Sequence, residues 1–69
     1  MSFQRRKILR FLASRGYRIV REGSAHTIVG DDSGRVSAVP RHRDVNRNTA
    51  RRIAKDLEID PDEFLREVR

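Results

Sequence analysis

Tyr17-Arg18-Ile19-Val20-Arg21-Glu22, Gly23-Ser24, Ala25-His26-Thr27-Ile28-Val29, Gly30-Asp31-Asp32-Ser33-Gly34 and Arg35-Val36-Ser37-Ala38-Val39 follow one another through the middle of the 69-residue chain, and their order decides the fold. From Tyr17 the residues alternate, with Tyr17 and Ile19 on one face and Arg18 and Val20 on the other, as a strand requires. Gly23-Ser24 breaks that strand, and a second, Ala25 to Val29, begins. The cluster from Gly30 to Gly34 does not fit a ladder and reads as a hairpin turn. Arg35 to Val39 is the third strand, ended by Pro40, which has no amide hydrogen to give. Consecutive strands joined by tight turns pair antiparallel, leaving one sheet face for helices and the other open.

On the N-terminal side, Ile8, Leu9, Phe11 and Leu12 cluster at helical spacing and predict a helix over Phe3 to Arg15, with Ser2 placed to cap it and Gly16 to stop it in the left-handed conformation. On the C-terminal side, the polar run Arg41 to Asn48 has loop composition. Asn48 or Thr49 can then cap a second helix with the apolar stripe Ala50, Ile53, Ala54 and Leu57, turning Arg51, Arg52 and Lys55 outward. Asp60-Pro61-Asp62-Glu63 restarts a helix, with Asp60 as cap, Pro61 at its first position and Glu63 completing a capping box; Phe64, Leu65 and Val68 give it a face to dock. The expectation is an α+β protein, an α-β-β-β-α sandwich with a three-stranded antiparallel sheet and a short C-terminal helix. It forms one domain over residues 1–69, because a chain this short has no room for two cores.

The chain has 16 Lys and Arg against 10 Asp and Glu, a formal net charge of +6. Seven basic residues (Arg5, Arg6, Lys7, Arg10, Arg15, Arg18, Arg21) precede His26 with Glu22 as their only acid, so the whole excess sits there. Residues 49–69 carry five basic residues against six acids. This asymmetry points to an anionic partner, and nucleic acid fits it best. Arginine dominates the basic set, and its planar guanidinium pairs a phosphate through two parallel hydrogen bonds where an ammonium acts as a point charge. There are no cysteines, so neither a disulfide framework nor a thiolate metal site supports the fold. No apolar run approaches a membrane span and the N-terminal residues lack a secretory pattern, so the expected setting is the cytoplasm.

Only two histidines occur, His26 just after Gly23-Ser24 and His42 just after Pro40-Arg41. An imidazole titrates near neutrality and can take a proton from one oxygen and return it to another. RNA brings its own nucleophile, the 2′-hydroxyl, so a histidine with cations around the phosphorane can cleave it without a metal. The bland alternative for His26 is a strand histidine bonded to a nearby carbonyl. His42, within Arg41-His42-Arg43, is read as a phosphate contact, with a second proton donor or a solvated turn as the alternatives. Gly23 and Gly34 have a plain reading as turn residues at positive φ. Arg51, Arg52 and Lys55 either follow a nucleic-acid backbone or pair with Asp56 and Glu58 on the helix surface.

Arg15-Gly16-Tyr17, Gly23-Ser24-Ala25-His26, Val39-Pro40-Arg41-His42 and Asn48-Thr49-Ala50-Arg51-Arg52-Ile53, in this order, resemble the HicA family of toxin ribonucleases over residues 5 to about 65. The resemblance implies a double-stranded-RNA-binding-like fold, a messenger-RNA endonuclease without metal or other cofactor, and a HicB-like antitoxin protein as partner. It assigns the catalytic role to His26 and makes Gly23 and Ser24 the turn that presents it. Many relatives read Gly-Ser-His-His, and Ala25 stands at the first of those histidines here, so the assignment holds for the second position. The RNA-binding set expected from charge and position is Arg5, Arg6, Lys7, Arg18, Arg21, Arg41, His42, Arg43, Arg51 and Arg52.

Two other classes compete. A non-catalytic RNA-binding module needs the same basic face but no histidine, reading duplex RNA by shape and 2′-hydroxyls. A DNA-binding helix-turn-helix is suggested by the two short helices meeting at Glu58-Ile59-Asp60, but acids crowd its would-be recognition helix and most of the basic charge lies elsewhere.

Overall fold

Alternation in the middle of the chain builds the sheet. In the computed structural model, which describes residues 2–69, the strands β2 (Arg18–Glu22), β3 (His26–Gly30) and β4 (Val36–Pro40) form an antiparallel sheet in the order β2-β3-β4. Residues opposite one another share a face, and the ladder pairs His26 with Pro40, Ile28 with Ala38 and Val29 with Ser37. Thr27, Val29, Ser37 and Val39 point to the helices and are buried, whereas His26 and Val36 are exposed on the other face. The expected architecture, an α+β chain with helices on one side of a three-stranded sheet, is the one observed.

A bulge between Ile19 and Arg21 changes the phase of β2. The simple alternation expected from Tyr17 onward therefore fails after Ile19: Arg21 stands opposite Ile28 and Glu22 opposite Thr27. Tyr17 itself precedes the strand and packs against the core, its phenol donating a 2.8 Å hydrogen bond to the carbonyl of Leu57.

The N-terminal segment departs from the helix expected over Phe3 to Arg15 with Ser2 as its cap. Residues Ser2–Gln4 form a strand, β1, and the helix α1 spans Arg5–Ser14, entered through Gln4 with no side-chain cap. Phe3 is buried, but it reaches the core from an extended segment paired with Val45. The run Arg41 to Asn48 is likewise not all loop, because Asp44–Asn46 is β5, the partner of β1. Neither three-residue strand has enough periodicity to announce itself; each exists because the other is there.

The helix α2 spans Arg47–Asp56 and is capped by Asn46, whose side chain accepts from the Thr49 amide at 2.8 Å, rather than by the expected Asn48 or Thr49. The helix α3, Pro61–Val68, is capped by Asp60 with Pro61 in its first turn, as the sequence predicts. Two helices end in the same way. At α1, Gly16 takes φ 90° and the amides of Gly16 and Tyr17 bond back to Ala13 and Leu12. At α2, Glu58 takes φ 59° and the amides of Glu58 and Ile59 bond back to Lys55 and Ala54. The turn between α2 and α3 thus holds a left-handed residue without a glycine.

The core lies between the helices and the covered sheet face. Ile8 and Leu12 from α1, Ala50, Ile53 and Ala54 from α2 and Phe64, Leu65 and Val68 from α3 meet Val29 and Val39 there. Each large apolar side chain so buried contributes roughly 1.5–3 kcal/mol before the entropy of ordering it. Phe11 meets Phe64 edge-on at 5.5 Å between ring centroids, and the Arg15 guanidinium lies 4.6 Å from the Phe11 centroid. Among the described residues no helix is long and apolar enough to cross a membrane.

Candidate functional site

The turn that starts β3 is set by a close approach of backbone. The Gly23 amide donates to the His26 carbonyl at 2.8 Å, and a Cβ on residue 23 would lie 3.0 Å from that oxygen, closer than side-chain carbons normally come. A side chain here would press on that carbonyl, so glycine suits the close approach. The positive φ expected at Gly34 is observed at 97°, but Gly23 does not share it. On the other side of His26, the Arg41 amide donates to the Ala25 carbonyl at 3.1 Å. The histidine backbone is thus fixed from both neighbours.

The His26 side chain is exposed on the uncovered sheet face, and its ring makes no hydrogen bond among the described residues. The bland reading, a ring bonded to a neighbouring carbonyl, is therefore not what is observed. Arg21, opposite Ile28, emerges on the same face, and it has no carboxylate partner among the described residues.

Thr27, one residue on, points the other way and is fully buried. Its hydroxyl donates to Glu22 Oε1 at 2.7 Å, and accepts from Arg5 Nη2 and, at 3.2 Å, from Arg41 Nη1. Arg41 Nη1 also pairs with Glu22, and Arg5 Nε donates to the Pro40 carbonyl at 3.1 Å. The hydrogen bond from Thr27 does most to hold the Glu22 carboxyl below its ordinary range; partial withdrawal from water opposes it, and the guanidiniums of Arg41 and Arg5 reinforce it. Thr27 is a residue that sequence reasoning missed. Its strand phase was the available signal, since a hydroxyl in step with Val29 is destined for the interior and must find partners there.

The Arg5 amide donates to the Arg43 carbonyl at 2.9 Å, which joins the start of α1 to the segment after Pro40. Gln4, Arg5, Arg6 and Arg43 line a cleft of about 280 Å³ without a carboxylate. The exposed His42 lies on the same segment, between Arg41 and Arg43.

The structure therefore gathers part of the expected cationic set and disperses the rest. Arg5 and Arg41 meet at the Thr27 hydroxyl, one residue from His26 but on the other side of the sheet, Arg5, Arg6 and Arg43 line one cleft, and His42 stands between Arg41 and Arg43 in the chain. Lys7 instead faces the end of α3, in a cleft shared with Glu67 and Arg69. Arg18 pairs with Asp32 at 2.6 Å and Arg51 with Asp62 at 3.3 Å. Arg52 pairs with Asp56 at 2.9 Å, four residues along α2, and donates to the Ala38 carbonyl at 2.9 Å. For Arg52, pairing on the helix surface is thus the arrangement observed. Among the described residues no group of three or more His, Cys, Asp or Glu side chains is placed to hold a metal ion.

A family model described as the HicA toxin of bacterial toxin-antitoxin matches residues 5–59, which include the turn, both histidines, the Thr27 network and α2. No curated protein and no solved structure gives a match.

Proposed function

Since the chain belongs to the HicA toxin family of bacterial toxin–antitoxin systems, we propose that it is a metal-independent endoribonuclease that cuts messenger RNA, with His26 as general acid and base. Proteins of this family are generally mRNA interferases, and a toxin of such a system has a cognate antitoxin; we take that antitoxin to be of HicB type and the setting to be the cytoplasm. The observation that carries the reading is an exposed imidazole, without a hydrogen bond among the described residues, on the residue next to the Thr27 hydroxyl that ties Arg5 and Arg41 together.

In this reading Arg6, Arg41, Arg43 and His42 take the phosphates on either side of the scissile bond. His26 accepts the proton of the 2′-hydroxyl, the 2′-oxygen bonds to phosphorus, and the 5′-oxygen leaves with a proton returned to it. The products are a 2′,3′-cyclic phosphate on the upstream fragment and a 5′-hydroxyl on the downstream one. The guanidiniums stabilise the charge that builds on the phosphorane. Arg21, on the imidazole's own face, and Gly23 and Ser24, which present it, complete the site. Arg18, Arg51 and Arg52, each paired with a carboxylate, and Lys7, beside Glu67, contribute to RNA binding only through the net charge of the chain.

Expression of the chain and of His26→Ala in a bacterium, with cleavage of a messenger RNA by the purified proteins in EDTA, tests this. The native chain is expected to halt growth and to cut RNA with the chelator present, and the variant to do neither. Equal effects from both proteins, or cleavage that EDTA abolishes, would refute the assignment. Binding of RNA without turnover would favour the non-catalytic module, a reading helped by the lack, among the described residues, of any side chain hydrogen-bonded to the imidazole.

A further inference from the structure

We propose that Thr27 and Glu22 are positioning residues for the reaction, gripping Arg41 by a single terminal nitrogen so that the opposite edge of its guanidinium is presented, already ordered, to a substrate phosphate. The inference rests on the nuclease reading above and adds to it two residues that touch no substrate.

The donor inventory of the two arginines carries the argument. A guanidinium has five N–H donors, and the Nε and Nη2 edge is one of the forks that match two phosphate oxygens at once. Arg41 uses only Nη1 internally, toward Glu22 and Thr27, and leaves both Nε and Nη2 without a protein partner among the described residues. Arg5 does the reverse: its Nε goes to the Pro40 carbonyl and its Nη2 to Thr27, so its fork is spent on the protein. Arg5 is therefore a strut, and Arg41 is the arm with a free fork. The two are tied at one buried hydroxyl, which accepts from both and gives its own proton to Glu22.

An exposed arginine ordinarily loses side-chain entropy when it binds phosphate. Arg41 is exposed too, but its Nη1 is held by Glu22 and Thr27 before the substrate arrives. Glu22 also fixes the direction of the Thr27 proton: with its hydrogen committed to the carboxylate, the oxygen has only lone pairs to offer the arginines. The arrangement sits on the residue next to His26 in β3, whose side chain leaves the opposite face, so the grip on Arg41 and the imidazole lie one residue apart on the two sides of the sheet end.

The test is a double-mutant cycle on cleavage of an RNA oligonucleotide by the full chain, using Thr27→Val and Arg41→Lys, with Thr27→Ser as the conservative variant. Removing the hydroxyl is expected to lower kcat by about ten- to a hundredfold, because the charge is kept and only its placement is lost, while KM changes little. Thr27→Ser should recover most of that loss. The combined variant should be no worse than Arg41→Lys alone, since Thr27 acts through Arg41. Additive losses, or an unchanged kcat in a folded Thr27→Val protein, overturn the proposal. If Thr27→Val unfolds, Glu22→Gln replaces it in the cycle with the same expected coupling.

A native chain that binds the oligonucleotide without cutting it would refute the nuclease reading alone. The cycle is then run on affinity, where coupled losses uphold the arm and additive ones overturn it. A chain that neither binds nor cuts the oligonucleotide overturns both.

Discussion

His26 and Pro40 stand directly opposite one another where the β3–β4 ladder ends, so the imidazole leaves the sheet on its uncovered face while the chain beyond Pro40 turns back toward α1. That placement separates chemistry from packing. Because the ring is exposed and unbonded, His26→Ala is expected to change the free energy of unfolding by no more than about 0.5 kcal/mol while cleavage falls to background. Urea unfolding beside the RNA assay checks this. A large loss of stability would mean that the ring supports the fold.

The cations divide by what already holds them. Arg43 and Arg6 have no carboxylate partner among the described residues and line the cleft beside α1, whereas Arg51 and Arg52 are paired with Asp62 and Asp56. Removing one cation that neutralises a phosphate should reduce the dependence of log affinity on log salt by roughly 0.7 for single-stranded RNA. Arg43→Ala and Arg6→Ala are therefore expected to flatten the salt dependence by about that much. Arg51→Ala and Arg52→Ala should leave it nearly unchanged. Titration of a labelled oligonucleotide at several salt concentrations distinguishes the two groups, and an equal change in all four would dismiss the division.

Each end of α2 carries one side-chain hydrogen bond to its backbone or flanking residue. Asn46→Ala removes the acceptor for the Thr49 amide and should cost about 1 kcal/mol. Tyr17→Phe deletes the bond to the Leu57 carbonyl while preserving the ring, and should also cost about 1 kcal/mol. Each is expected to move the urea midpoint without changing the slope of the transition. A changed slope would show that the substitution alters the unfolded or folded ensemble more widely.

Acid sensitivity should have a local component in the β3–β4 turn. Withdrawal from water would raise the Asp31 carboxyl, but hydrogen bonds from the Ser33 hydroxyl, the Arg35 guanidinium and both backbone amides override it and bring it from 3.8 to about 2. The unfolded chain takes up this proton first. The contribution of Asp31 to stability is therefore complete above pH 3.8 and is lost as the pH falls through about 2. Asp31→Asn keeps a side-chain oxygen for the turn amides but cannot titrate. Its stability should vary less steeply with pH across that window, by up to about one proton, than that of the native chain. Parallel slopes in urea unfolding at a series of acidic pH values would contradict this.

Much of this architecture is legible without coordinates because its determinants are local. The stripe Ala50, Ile53, Ala54 and Leu57, the Asp60-Pro61 start of α3 and the Gly16 stop of α1 each work within one or two turns of chain, and each is found where the sequence puts it. The cap of α2 and the start of α1 differ from the sequence expectation for one shared reason. Both lie beside the β1–β5 pair, whose residues are about forty positions apart, and nothing in either three-residue segment signals the other. Phe3 satisfies a helical phase as well as it satisfies a strand facing Val45.

At the site the same distinction holds. Residue types and order single out His26 and the arginine excess as candidates, because a proton carrier and a phosphate ligand are matters of side-chain chemistry, and the family resemblance adds the Gly23-Ser24 turn. Which arginines are free and which are occupied is decided only in three dimensions. Glu22, Thr27, Arg5 and Arg41 come from four separate parts of the chain, and their partnership exists only once β2, β3, α1 and the end of β4 are packed together. Charge is a property of the residue, but the pairing of charges depends on distance, and only the folded chain sets the distances.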